Sequence, residues 1–97
     1  MPISQARVTT ELASRYLQQL CKHFAHKLPV TFDPERGRIE FSIGVCELTA
    51  APGVLTMRAE AADDTALTQL EQVVARHLER FAFREPPEIA WTPAPAA

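Results

Sequence analysis

The sequence predicts an α+β fold, a two-layer sandwich with two helices on one face of a four- to five-stranded, mainly antiparallel sheet. Three observations predict it. Two segments repeat apolar residues at intervals of three and four, the signature of amphipathic helices. The stretch between them alternates apolar and polar residues and is cut by short Pro- and Gly-containing turns, as consecutive antiparallel strands with one wet face are. The chain has 97 residues, enough for one modest core, and its 46% hydrophobic and 23% charged residues exclude a disordered chain.

The elements follow in order. Residues 3–9, ISQARVT, alternate Ala6 and Val8 against Gln5 and Arg7, a short first strand. Thr9 or Thr10 then caps a helix, with Glu11 in its first turn. Tyr16, Leu17, Leu20, Cys21, Phe24 and Leu28 make its apolar stripe, and Pro29 stops it. Val30 and Phe32 begin the sheet. Asp33-Pro34-Glu35-Arg36-Gly37 reads as a turn with Gly37 in the left-handed position, after which Ile39, Phe41 and Ile43 face inward. Gly44 breaks that run, VCELTA resumes it, and Pro52-Gly53 turns the chain into VLTMRAEA, where Leu55, Met57, Ala59 and Ala61 point in. Asp63 or Asp64 starts the second helix, whose stripe is Leu67, Leu70, Val74, His77, Leu78 and Phe81; Pro86-Pro87 ends it. EIAW reads as a last strand anchoring Trp91, giving βαβββ(β)αβ over a single domain, residues 1–91, with residues 92–97 a disordered tail. The expected core is Leu17, Leu20, Phe24, Phe32, Ile39, Phe41, Leu55, Met57, Leu70, Val74 and Phe81.

Composition narrows the function. Ten basic against twelve acidic residues leave a net charge of −2, which argues against a nucleic-acid partner, since backbone binding needs a basic field. No secretory signal and no transmembrane-length apolar run is visible, so a cytoplasmic protein with no membrane partner is expected. Cys21 and Cys46 stand among apolar neighbours without a CxxC pair and read as two buried, reduced thiols. Three separated glycines cannot form a phosphate-cradling loop, and there is no GxSxG elbow, so no cofactor is expected.

What remains is a set of imidazoles and cations. In CKHFAHK, helical geometry sends Cys21 and Phe24 to the core, leaves His23 at its border and turns Lys22 and His26 outward. His23 and His26 are the candidate metal pair, but two ligands fall short of the three or four a zinc site takes, and no metal is predicted. His77 falls inside the second stripe, as a core histidine bonded to backbone or Tyr16, or as a base or ligand in a pocket between helices and sheet. Arg76, Arg80 and Arg84 form a row at helical spacing.

Arg15-Tyr16-Leu17, Lys22-His23-Phe24-Ala25-His26-Lys27 and Arg80-Phe81-Ala82-Phe83-Arg84-Glu85 give the chain a further likeness: over about residues 5–91 it resembles the bacterial family DUF2218, a domain of unknown function. The resemblance implies an association with siderophore-interacting reductase proteins and a role around iron acquisition. Two readings of function result. In the first, a small binding or accessory domain uses Arg15, Lys22, His23, His26, Lys27, His77, Arg80 and Arg84 to hold an anionic small molecule, such as a ferric siderophore, or the acidic surface of a siderophore-reductase-type partner. In the second, a small enzyme uses His77 or His23 as acid or base, with an arginine polarising a carbonyl. Phe83 and Trp91, near the end of the second helix, offer a homodimer contact.

Overall fold

In the computed structural model, residues 2–82 and 89–94 are described. The chain runs β1 (Ile3–Thr9), α1 (Ala13–Ala25), β2 (Val30–Phe32), β3 (Arg36–Phe41), β4 (Gly44–Ala51), β5 (Val54–Ala61), α2 (Asp64–Phe81) and β6 (Thr92–Pro93). All strand pairs are antiparallel, in the spatial order β2-β3-β4-β5-β1-β6. The predicted α+β sandwich is therefore correct, with six strands in place of four or five. Strands β2 to β5 form the expected meander, and the first strand closes against β5.

Burial alternates along β5, where Leu55, Met57, Ala59 and Ala61 are buried and Thr56, Arg58 and Glu60 are half-buried. Leu48 and Cys46 on β4, Ile39 on β3, and Ala6 and Val8 on β1 extend the same apolar face. Leu17 and Leu20 of α1 and Leu70, Val74 and Leu78 of α2 cover it, all with no exposed surface. On the opposite, open face the register sets Arg38 against Glu47, and Glu47 against Arg58. Arg38 and Glu47 form a cross-strand ion pair at 3.7 Å, an exposed pair that contributes little to stability.

Asp63 caps α2, its Oδ1 accepting from the Ala66 amide at 2.8 Å, and Asp64 lies in the first turn. The start of α1 differs from expectation. The helix begins at Ala13 after Leu12; Thr10 Oγ1 accepts from the Leu12 amide, so Thr10 shapes the preceding turn. Glu11 belongs to that turn also. At its other end, α1 stops at Ala25, and Leu28 lies beyond it, its amide and that of Lys27 donating to the Phe24 carbonyl.

Gly37 corrects the turn assignment. Asp33 alone makes the turn, its Oδ1 accepting from the Glu35 and Arg36 amides at 2.8 Å, an arrangement that also holds its carboxyl below the usual range. Gly37 is already in β3, buried under α1, where a Cβ would stand 2.6 Å from Cys21 Sγ. Gly53 is the described glycine with positive φ, 80°, as the Pro52-Gly53 turn requires. The break between β3 and β4 falls at Ser42-Ile43, so Ile43 sits in a two-residue turn rather than on the strand, and Gly44 opens β4 opposite Phe41.

Three core assignments shift. Phe32 shares a register position with Gly37 but lies on the three-residue edge strand and is 37% exposed; Phe41 and Phe81 are half-buried. The last strand lies one step beyond EIAW. Thr92 and Pro93 pair with Gln5 and Ser4, and the Ala94 amide donates to the Ile3 carbonyl, so residues 92–94, expected in a loose tail, are held to the sheet edge. The Pro86-Pro87 stop and one of the two expected dimer-contact residues, Phe83, lie outside the described residues.

Candidate functional site

The stripe of α1 faces the β3 side of the sheet through Leu17 and Cys21, which leaves its flank of Tyr16 and His23 toward α2. On α2, Val73, His77 and Phe81 follow at four-residue steps and sit beside the buried row of Leu70, Val74 and Leu78. Both helices thereby present an imidazole at one seam. The rings of His23 and His77 lie 4.9 Å apart, at 44°.

Around that pair stands a cluster of rings. Phe24 is 4.8 Å from His77, 5.1 Å from His23 and 5.0 Å, edge-on, from Phe41; Phe81 closes on His23 at 5.9 Å. These spacings are those of favourable aromatic pairs. Beside them opens a cleft of about 510 Å³ lined by His23, Phe24, His26, Lys27, Leu28, Phe41, Val73 and His77. The volume lies within the range of small-molecule sites. Its floor is apolar, and its rim on the α1 side carries two imidazoles and an ammonium.

His77 is half-buried, and its Nδ1 lies 2.7 Å from the Val73 carbonyl. A carbonyl only accepts, so Nδ1 bears the proton and donates, leaving Nε2 as the acceptor of the neutral ring. Bonding to backbone, one of the two expected partners, is thus what the fold provides. His23 is exposed as a residue, yet its ring packs against three others. That local desolvation lowers its pKa below the ordinary histidine value, and the nearby charge of His77, Arg80, His26 and Lys27 lowers it further. At neutral pH, His23 is therefore chiefly an uncharged imidazole.

The other expected site residues divide. His26 and Lys27 line the cleft. Arg80 does not line it but is close enough to act electrostatically on His23. Arg15 and Lys22 lie on the exposed ridge of α1, away from the lining, and Arg84 lies outside the described residues. Among the described residues no group of three or more His, Cys, Asp and Glu side chains comes together to hold a metal, and the ring that meets His23 is His77, not His26. Cys21 and Cys46 are free and buried, their thiols pushed up to about 11 and about 12 by burial, which removes them as nucleophiles. A second hollow, about 530 Å³, lies at the opposite end of α1, but it carries the carboxylates of Glu11 and Glu35 and no imidazole or cation. Leu28, Phe41 and Val73 line the cleft without being marked as site residues in the sequence. Leu28 and Phe41 show apolar periodicity alone there, which does not separate a cleft floor from a core, and Val73 falls beside the predicted stripe of the second helix.

The family described as "Uncharacterized protein conserved in bacteria (DUF2218)" matches residues 5–92. Among solved structures, the chain is similar to that titled "NMR structure of PA4090 from Pseudomonas aeruginosa", at 45% sequence identity and a TM-score of 0.82, covering 99% of this chain and 100% of that one. No curated protein sequence matches the chain. No helix among the described residues is long and apolar enough to cross a membrane.

Proposed function

The chain belongs to the DUF2218 family of uncharacterized bacterial proteins, and within it we propose a small binding domain that takes an organic anion in the cleft between the end of α1 and the middle of α2. One observation carries the reading: an apolar, ring-lined floor of Phe24, Leu28, Phe41 and Val73 meets a rim of His23, His26 and Lys27. The floor suits an apolar body and the rim a carboxylate, with Lys27 as the permanent charge and the imidazoles as adjustable donors. A ferric siderophore is a larger ligand of the same charge class, and an acidic reductase-type partner surface would use the same rim together with Arg80. The cytoplasm fits two buried free thiols.

The test is a titration followed by amide and imidazole NMR shifts, with benzoate, its neutral analogue benzamide and a ferric siderophore as probes. Benzoate is expected to move His23, His26, Lys27, Phe41 and Val73 together and saturably, to be weakened by salt, and to outbind benzamide. No saturable shift at these residues with either anion refutes the reading.

A second reading, an enzyme with His23 as general base beside Arg80, draws on the lowered pKa of His23. It is the narrower of the two. Ser4 and Ser14 donate their hydroxyls to Glu71 and to the Pro34 carbonyl, and no Ser, Thr or Cys lines the cleft, so no hydroxyl or thiol nucleophile accompanies the base there. Proton transfer without a covalent step is the chemistry this arrangement would allow.

A further inference from the structure

We propose that the anion of this cleft is an aromatic carboxylate bearing a hydrogen-bond donor on its ring, meta or para to the carboxylate, and that His77 selects for the donor. The inference rests on the anion-binding reading and adds the ligand's shape and polarity to it.

The rings supply the first argument. A ligand entering beside Phe24, Phe41, His23 and His77 meets four aromatic groups already spaced at 4.8 to 5.1 Å from one another along the chain of contacts. A flat ring adds to such an array at stacking or edge-on distance, whereas a branched aliphatic body gains only area.

His77 supplies the second. Its Nδ1–H is committed to the Val73 carbonyl, so the neutral ring holds an acceptor at Nε2. Among the described residues no protein donor is hydrogen-bonded to that nitrogen. Of the residues lining the cleft with it, Phe24, Leu28, Phe41 and Val73 offer no side-chain donor, and the donors His23, His26 and Lys27 make no hydrogen bond to that nitrogen. An apolar ligand covering Nε2 would strip it of water and leave it unpaired; a ligand hydroxyl would pair it. A site of this kind discriminates against the analogue lacking the donor, because the protein acceptor is then the unsatisfied partner.

Position on the ligand follows from where the charges stand. Lys27 and His26 lie at the α1 side of the cleft and His77 on α2. One flat ligand reaches both sides when its carboxylate and its donor are separated around the ring. An ortho hydroxyl bonds to its own carboxylate and is not available to His77.

The experiment compares benzoate with 2-, 3- and 4-hydroxybenzoate by NMR titration of the whole chain, following backbone amides and the imidazole nitrogens. The better of the 3- and 4-isomers is expected to bind about 3–10-fold tighter than benzoate, the worth of one neutral hydrogen bond, and to shift His77 Nε2 toward the hydrogen-bonded range. The 2-isomer is expected to gain nothing over benzoate. In His77→Phe, which keeps a ring at the position, the preference ratio is expected to fall to about one. Equal binding of benzoate and all three isomers, an unmoved Nε2, or a preference that survives in His77→Phe overturns the proposal and leaves the anion-binding reading standing. Absence of binding by benzoate and all three isomers overturns the proposal, and absence of binding by the ferric siderophore as well overturns both readings. The Nε2 shift is read on the unaltered protein, so a poorly folded variant does not remove the test.

Discussion

Replacing Gly37 with alanine puts one methyl group into the contact between α1 and the sheet. The new Cβ would stand 2.6 Å from Cys21 Sγ and 3.4 Å from both Leu17 Cδ2 and Phe32 Cβ. The last two are tolerable contacts. The first is about 1 Å short of a comfortable carbon–sulfur separation, and Cys21 is fully buried with one rotatable side-chain bond, so it cannot swing into free space. Relief requires α1 to lift or β3 to bend, an overpacking cost of about 2–3 kcal/mol. Alanine offsets about 0.5–1 kcal/mol of that by restricting the unfolded chain. The net loss of about 1–2 kcal/mol corresponds to a fall of roughly 5–15 °C in Tm for a domain of this length. A thermal scan reads it, and the double variant Gly37→Ala/Cys21→Ala reads the cause. Deleting the sulfur alone opens a small cavity and destabilises; deleting it in the Gly37→Ala background makes room for the new methyl. The two changes should therefore couple favourably by at least about 1 kcal/mol. A Gly37→Ala protein melting within a degree of the parent, or strictly additive losses in the double variant, would show that α1 and β3 are not in contact through this pair.

Two further outcomes are expected. In a histidine NMR titration, His23 should protonate below the ordinary histidine value of about 6.5, and Arg80→Gln should move it back up by removing one neighbouring cation. Because its pKa is lowered in the folded chain, the unfolded chain binds the proton first: the contribution of His23 to stability is complete above about pH 6.5 and is lost as the pH falls toward the folded-state value. An anion in the cleft opposes that shift, so binding should tighten as the pH falls through the same window; a His23 that titrates at the ordinary histidine value contradicts the ring packing. Separately, Ser4 is 3% exposed and donates to Glu71 Oε2 at 2.5 Å, tying β1 to α2. Ser4→Ala should cost about 1–2 kcal/mol in chemical denaturation by leaving the carboxylate short of a partner, and an unchanged midpoint would show that water replaces the serine at no cost.

The elements legible in the sequence are those with strong periodicity. The stripe Tyr16, Leu17, Leu20, Cys21, Phe24 and the alternation of Leu55, Met57, Ala59 are faithful guides because each reports one element burying one face. The misleading features are those that depend on two elements. Gly37 suits a turn because a glycine after Asp-Pro fits one; its actual reason, the approach of Cys21 from a helix sixteen positions upstream, leaves no local mark. Phe32 obeys the inward register but sits on a strand too short and too near the edge for α1 to cover it. Thr92-Pro93 pairs with Ser4 and Gln5, and a proline in that position carries no strand signal. The site follows the same division. His23 and His77 are identifiable as border and stripe residues, but their contact at 4.9 Å is a product of how α1 and α2 pack.

That packing also explains why the cleft opens where it does. α1 has 13 residues and α2 has 18, about 20 Å against 27 Å of axis. Both must cover the same apolar sheet face, so one end of that face runs out of helix. α1 ends at Ala25, and the chain turns through His26, Lys27 and Leu28 to reach the edge strand, leaving the end of β3 at Phe41 roofed by side chains alone. Val73 and His77 of the longer helix form the far wall. A chain end of this kind supplies basic groups for a reason independent of any ligand: His26 caps α1 and Lys27 follows it, at the end of the helix where the dipole favours positive charge. The consequence is that cations and imidazoles selected by helix electrostatics stand at the mouth of an apolar hollow created by a length mismatch. Extending α1 by one turn, with alanines inserted after Ala25, would cover Phe41 and abolish the hollow while lengthening the helix. If anion binding at His26 and Lys27 persisted in such a protein, the rim charges alone would be the binding surface and the floor would have no part in it.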